Sequence, residues 1–383
     1  MKYADLSTIL VKEIRKCVEA QFADLVDCGW APNGMGDFSS SIALKTAKQM
    51  KKAPFEIAKE IVTRLQNAPS VKKYADRVEA KAPGFINFWL KPEFFSSAVE
   101  HIIKEGNHFG RAKKKKEKIL LEFLSANPTG PMHMGNGRGG FTGDCLANVL
   151  DWAGYDVKRE YYINNVGNQI VRLGASIFHA AGIKQANEDD LYRAPYINDL
   201  VKTLRPKAGD DAAEIGKRAA RILLRDIRRV VEEKMRIHFD RWFPEDHLFV
   251  SQKADNILKW IKAEKLSYEK DGAVWFISSR FGDDKDRVLV KSSGEKTYML
   301  SDIAYHKDKF DRGFEKLIDI FGADHHGYIG RTYAAVEALG YKKEQLDILI
   351  VQLVRLIENG KEVKMSKRGG SFVTIEELID EVG

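Results

Sequence analysis

Apolar and polar positions change period several times along the first hundred residues. Leu6, Ile9, Leu10, Ile14, Val18 and Phe22 recur at spacings of three and four, which predicts a helix with one apolar face. A Gly- and Pro-bearing loop over Gly29–Gly36 follows, then two helical stretches at Ser39–Lys51 and Pro54–Gln66. Pro54 suits a first helical turn, where its missing N–H costs nothing. Val78–Ala80 and Phe85–Leu90 read as strands divided by Pro83-Gly84, and a helix over Pro92–Glu105 closes the set. These elements predict a small α+β module over residues 1–110. The charged run Arg111–Lys118 reads as a solvated, structureless linker.

From Ile119 the pattern is different. Ile119–Leu124 is a short apolar run of the kind found in buried parallel strands. A Gly-rich loop, a helix from about Gly140 to Ala153 and a strand at Val157–Tyr162 follow it. Strand, helix and strand in that order predict a βαβ unit and a parallel sheet. Gln169–Lys265 is charged and largely of helical period, Ala212–His238 most clearly so. Ala273–Ile277 and Arg287–Lys291 read as strands. The α/β alternation then resumes with strand Leu317–Phe321, helix Arg331–Leu339 and strand Leu346–Val351. The expected fold class is α/β: a parallel-sheet domain over 119–383 of Rossmann-like type, interrupted by a mostly helical insertion at about 175–270. No internal repeat is present.

Composition narrows the classes of function. Of 383 residues, 44% are hydrophobic and 31% charged, which supports buried cores and excludes disorder for the whole. The 62 basic and 55 acidic residues leave a net charge of +7, compatible with a polyanionic partner without requiring one. Cys17, Cys28 and Cys145 are too few and too scattered for a disulfide framework, and no CxxC is present. Acids and lysines among the first apolar residues exclude a secretory signal. No stretch approaches the roughly 20 apolar residues that span a bilayer. The expectation is a cytoplasmic protein with no membrane contact.

Two segments carry candidate chemistry. Ser125–Gly140 lies between a predicted strand and a predicted helix, where glycines and a helix N-terminus admit an anion. Gly135, Gly137 and Gly140 satisfy G-x-G-x-x-G, and Glu160 lies twenty residues beyond, as in a dinucleotide-binding fingerprint. That fingerprint follows its strand directly, whereas the ten residues Ser125–Met134 intervene here. The other reading is an H-x-G signature, His133-Met-Gly135, offering an imidazole to nucleotide phosphates. The second segment, Val363–Gly370, packs Lys364, Lys367 and Arg368 with two glycines into one loop. Flexible cations suit a moving polyphosphate, and the glycines suit a loop that closes and reopens. No G-x-x-x-x-G-K-[ST] occurs, so it is not a P-loop.

The pair of motifs, HxG after an early strand and Lys364-Met-Ser-Lys367 after a late one, resembles the two signatures of class I aminoacyl-tRNA synthetases. Asn127-Pro-Thr-Gly-Pro131, Arg159-Glu-Tyr-Tyr-Ile-Asn164, Gly167-Asn-Gln169, Ser301-Asp-Ile-Ala-Tyr-His306 and Gly322-Ala-Asp-His-His-Gly-Tyr328 narrow the resemblance to arginyl-tRNA synthetases. It covers essentially the whole chain. Gly36-Asp-Phe-Ser39 and Pro83–Phe88 resemble the family's N-terminal module, which is implied to touch the tRNA elbow. There are three departures. Asn136 stands where the family's signature loop usually has a second histidine, and Asn165 where it more often has aspartate. The chain also stops at Gly383, so the C-terminal helical anticodon-binding domain is expected to be absent.

The resemblance implies a two-step reaction. Arginine's carboxylate attacks the α-phosphate of ATP, and the arginyl group then moves from the adenylate to the 2′-hydroxyl of the terminal adenosine of tRNA(Arg). It implies that His133 and Asn136 contact phosphate oxygens and that Lys364 and Lys367 draw out the pyrophosphate. Gly135, Gly322, Asp324, His325, Met365 and Ser366 complete the implied ATP site. Mg²⁺ would come with the ATP, and no protein metal site is expected, since the adjacent histidines His325 and His326 lack helical zinc spacing. A guanidinium is best held by carboxylates and an aromatic face. Tyr298 and Asp302, four apart, share a helix face, and Glu122 lies at the carboxyl end of its strand. With Asn127 they match the family's arginine pocket. The plain alternative pairs Glu122 with a local lysine and leaves Tyr298 in the core. A monomer is expected. The other functional readings are a fragment that binds arginine or tRNA without charging and, more remotely, a dinucleotide-binding enzyme. Lys367→Ala should slow adenylate formation with little change in arginine affinity. A variant that loses arginine binding and keeps its rate would contradict the loop assignment.

Overall fold

The computed structural model describes residues 3–184, 191–358, 361–363 and 373–382. The chain divides into two compact units, Met1–Arg111 and Ala112–Gly383.

The first unit runs α1 (Tyr3–Arg15), β1 (Gly29–Trp30), β2 (Phe38–Ser40), α2 (Ile42–Met50), α3 (Pro54–Leu65), α4 (Pro69–Tyr74), β3 (Ala75–Lys81), β4 (Phe85–Leu90) and α5 (Pro92–Glu105). Its antiparallel sheet has the order β1-β2-β4-β3. The first helix ends sooner than its apolar spacing predicts. The Cys17 N–H bonds back to Ile14, the chain extends at Glu19, and Phe22 reaches the core from a 3₁₀ turn, Ala20–Leu25. Ser39, expected in a helix, lies in β2 opposite Asn87, and its hydroxyl donates to Asn87 Oδ1 at 2.7 Å. Three residues are too short a strand for alternation to show.

The second unit runs β5 (Lys118–Glu122), α6 (Met134–Trp152), β6 (Asp156–Ile163), α7 (Asn168–Ala180), α8 (Tyr196–Leu204), α9 (Ala212–Arg229) and β7 (Arg241–Pro244). It continues α10 (Asp246–Val250), α11 (Lys253–Ala263), β8 (Ser267–Lys270), β9 (Ala273–Phe276), β10 (Arg287–Val290), α12 (Tyr298–Asp311), β11 (Lys316–Gly322), α13 (Ile329–Ala338), β12 (Leu346–Val351), β13 (Leu356–Glu358), β14 (Lys361–Val363) and α14 (Ile375–Val382). Five parallel strands form the main sheet in the order β12-β11-β5-β6-β7. Strands β8 to β10 form a separate antiparallel sheet.

β5 is central and buried on both faces. Ile119 and Leu121 pack toward Ala147 of α6 and toward Ile227 and Val231, while Leu120 packs toward Phe310 and Val336. β7 is a correction to the sequence reading, which placed 241–244 in a helical stretch. Its four residues, Arg-Trp-Phe-Pro, carry no period, and pairing with β6 alone makes them a strand. The Arg111–Lys118 run is also not a free connector. Ala112 and Lys115 donate backbone hydrogen bonds to Trp152 and Gly154, and the Lys115 ammonium lies 3.6 Å from the Tyr155 ring centre.

Between β6 and β7, helices α7 and α9 meet through glycines. A Cβ on Gly174 would collide with the Ala212 carbonyl oxygen, and one on Gly216 with that of Ile170. Backbone cannot give way as a side chain can. Gly174→Ala should therefore cost about 2–3 kcal/mol by urea unfolding, and an unchanged midpoint would contradict this close approach.

Candidate active site

Three carboxylates stand side by side at the carboxyl end of the parallel sheet. Glu122 on β5 is level with Asp319 on β11 and Glu160 on β6, and all three are buried. Parallel register and the two-residue side-chain period put them on one face. Their counter-charges come from α12 and its C-cap. The fully buried Lys309 donates to Glu122 Oε2 at 2.6 Å and to Asp319 Oδ1 at 2.7 Å. Arg312 donates in a fork to both oxygens of Glu160, at 2.7 and 2.8 Å, and the Tyr305 hydroxyl donates to Oε1 at 2.6 Å. His306 spans Asp319 Oδ2, 3.0 Å from Nε2, and the Asp302 carbonyl, 2.8 Å from Nδ1. Burial alone would raise Asp319, yet Lys309 and His306 hold it at about 2. Burial wins at Glu122, whose carboxyl is pushed above the usual range despite Lys309.

Above this row opens a cleft of roughly 1090 Å³. One wall is the N-terminal turn of α6. The sequence reading took Met134–Gly139 as loop, but the helix starts at Met134 with His133 as N-cap. The Asn136 side chain accepts from the His133 N–H at 3.1 Å, so the residue in place of a second histidine ties the first turn together and keeps its amide nitrogen as a donor. The glycines that dilute the helical signal are packing requirements. A Cβ on Gly140 would meet Met235, and one on Gly143 the ring of Phe123. His133, Gly135 and Asn136 all line the cleft, as do Gly322, Asp324 and His325 at and just beyond the end of β11. His325 stacks on Tyr328 with ring centres 5.1 Å apart.

Glu122, Asn127, Tyr298 and Asp302 line the same cleft. Glu122 is held by a lysine as the plain alternative supposed, but by a distant one, and its Oε1 faces the Ser125 hydroxyl at 3.3 Å. Tyr298 is half-exposed on the first turn of α12. The sequence reading missed Glu245, which follows β7 and is 1% exposed. Its backbone N–H donates to the Ile163 carbonyl at 2.9 Å. Burial, and then the Asp302 charge, push its carboxyl up to about 7. Its Oε2 has no hydrogen-bond partner among the described residues. Asp302 is likewise raised by burial, with His306 and Arg331 pulling the other way. Recognising β7 as a strand would have exposed Glu245, since residues after parallel strands face the crevice.

Lys364, Met365, Ser366 and Lys367 lie outside the described residues. Their C-terminal flank is tied to the signature segment: the Met134 N–H donates to the Val373 carbonyl at 2.9 Å and the Ile375 N–H to that of Met132 at 3.0 Å. The dinucleotide fingerprint fails at its acidic residue. Glu160 does not line the cleft, and both its oxygens are taken by Arg312 and Tyr305.

Residues 98–383 match the family described as tRNA synthetases class I (R), catalytic domain, and residues 4–90 match the arginyl tRNA synthetase N-terminal domain. The arginine–tRNA ligase of Bacillus velezensis is 44% identical over 361 residues, 91% of this chain and 64% of the relative. That of Bacillus subtilis is 44% identical over 362 residues, with the same coverage. The chain thus spans 64% of the length of these curated relatives. A crystal structure described as an arginyl-tRNA synthetase from Campylobacter jejuni matches with a TM-score of 0.68 and 36% identity, over 76% of this chain and 66% of that one. The Thermus thermophilus arginyl-tRNA synthetase shares the fold at a TM-score of 0.62 and 19% identity, over 98% of this chain and 69% of that one. Sheet, signature helix and cleft are those of a class I tRNA synthetase catalytic unit. The chain belongs, within that class, to the (R) family.

Glu245 gives this site a pH signature. Its folded pKa of about 7 lies above the ordinary 4.5, so the protonated form is the one folding favours. The stability this contributes is full below about pH 4.5 and lost as pH rises through 7, a loss of about 3 kcal/mol. Glu245→Gln should therefore unfold at higher urea than the parent at about pH 8 and match it near pH 4.5. A variant less stable at the higher pH would contradict the burial of an unpaired charge.

Proposed function

We propose that this chain activates arginine with ATP and passes the arginyl group to tRNA(Arg), the reaction in the names of its relatives. The observation that carries the reading is the acid pair Glu245 and Asp302, raised by burial in one cleft beside Tyr298. Two desolvated carboxylates await a cation with two faces of donors. A guanidinium supplies planar, bidentate donors that stay charged, and the tyrosine ring supplies a surface to stack on. A lysine ammonium carries a point charge and fits such a pair less well. Asn127 and Glu122 Oε1, which now accepts only from the Ser125 hydroxyl, then hold the α-amino end.

With the side chain so held, the arginine carboxylate points toward the first turn of α6. ATP, taken as its magnesium complex, places its phosphates against that turn, where the helix dipole favours anions. Gly322, Asp324 and His325 hold the adenosine. A carboxylate oxygen bonds to the α-phosphorus, the α–β bridging P–O bond breaks, and pyrophosphate leaves with its electron pair. Little covalent work falls to the protein in such a step; catalysis is positioning and charge stabilisation. His133 and the Asn136 amide donate to phosphate oxygens, and Lys364 and Lys367 follow the departing pyrophosphate. In the second step the terminal adenosine's 2′-oxygen bonds to the arginyl carbonyl carbon, its proton is lost, and AMP leaves. The affinity for tRNA should fall with salt as phosphate counterions compete.

Asp302→Asn should weaken arginine binding, measured by calorimetry against lysine, by about 2–5 kcal/mol, the cost of leaving a buried partner unpaired. Unchanged affinity would remove Asp302 from the pocket.

A further inference from the structure

The outer face of α9 is out of keeping with a merely solvated helix. It carries Lys217, Arg218, Arg221, Arg225, Arg228 and Arg229, all exposed, against only Glu214 and Asp226. Lys217–Arg221, Arg218–Arg221, Arg221–Arg225, Arg225–Arg228 and Arg225–Arg229 are all three or four apart. Each such pair brings like charges together on one helix face and destabilises it. A solvated face relieves this by interleaving acids. Here Glu214 stands three and four before Lys217 and Arg218, but ion pairs form only at the C-terminal end, Arg228 on Glu232 and Arg229 on Glu376, both at 2.8 Å. Among the described residues, Lys217, Arg218, Arg221 and Arg225 enter no ion pair.

The opposite face is rigidly backed. Ile215, Ala219 and Leu223 are buried with Ile170, Leu173 and Ile177 of α7, and Gly216 lies against the Ile170 carbonyl. The cation row therefore has a fixed spacing: Lys217, Arg221 and Arg225 repeat every four residues, about 6 Å along the axis, with Arg218 beside them. Its end points to the active site. Arg229 grips Glu376 on α14, and α14 begins at the residues hydrogen-bonded to Met132 and Met134.

We propose that Lys217, Arg218, Arg221 and Arg225 form a phosphate-binding track that guides the acceptor end of a tRNA along α9 toward the cleft. The proposal rests on the tRNA-charging reading above. The partner it fits is a nucleic-acid backbone. Its repeating anions match a row of cations without requiring base contacts, and guanidinium is the better phosphate ligand of the two side chains.

The test is anisotropy titration of labelled tRNA(Arg) with the full chain across a salt series. Replacement of Lys217, Arg218, Arg221 and Arg225 together by Gln should weaken binding at least about tenfold and flatten the log–log salt slope by about 2–4, since each phosphate contact contributes about 0.9. Arginine affinity should be unchanged, because none of the four lines the cleft. R218K/R221K/R225K, which keeps the charge, should retain most of the affinity. Should the fourfold variant not fold, R221Q alone should lower the slope by about one. Equal affinity and equal slope in the Gln variants would overturn the track while leaving the functional reading in place. No tRNA binding by the parent at low salt, with arginine binding intact, would overturn the track together with the tRNA half of that reading.

Discussion

Three carboxylates level on adjacent strands would repel one another and would not tolerate burial alone. The row Asp319, Glu122 and Glu160 exists because one helix brings cations to it, Lys309 between the first two and Arg312 across the third. The contacts fix the rotation and height of α12 on the sheet. Removing one partner of such a buried pair costs about 3–5 kcal/mol, because it strands the other. A helix fixed this way has one orientation. In it, the first two turns bear Tyr298 and Asp302, which line the cleft.

Charge balance runs out where the cleft begins. Glu160 is fully answered by Arg312 and Tyr305, and Asp319 by Lys309 and His306. Glu122 is half answered, with one oxygen on Lys309 and the other toward Ser125. Glu245 lies beyond the cations and stores the imbalance as a carboxyl pushed to about 7. This gradient from satisfied to unsatisfied acids is what the proposed reading turns on: one sheet edge would be both a structural joint and a receptor, with stability given up where the ligand's charge is to be received and restored by binding.

Much of this was legible in the sequence because it is local. Ile119–Leu124 and Leu317–Phe321 announce buried parallel strands by apolar runs alone; the second falls where read, and the first ends two residues early, at Glu122. Tyr298 and Asp302 share a helix face by spacing, and Asn127 lies on the predicted turn, whereas HxG opens α6. What was not legible is set by partners far along the chain. β7 is a strand only because β6 lies beside it, so Glu245 stayed hidden among polar neighbours. Lys309 meets Glu122 across 187 positions, which no spacing rule reaches. The start of α6 was hidden for a different reason: Gly135, Gly137, Gly140 and Gly143 lower helical propensity, while Gly140 and Gly143 permit packing onto Met235 and Phe123.

The central claim is that a buried, partly protonated acid beside Asp302, with no ion-pair partner among the described residues, receives the ligand's cation. It is tested most directly by calorimetry of arginine binding at about pH 7 in buffers of different ionisation enthalpy, which counts protons. A group near half-protonation in the free chain must ionise to meet a guanidinium, so binding should release about half a proton, falling toward zero by about pH 8.5. Glu245→Gln should abolish the release. Tight arginine binding with an enthalpy that does not depend on the buffer would contradict the claim.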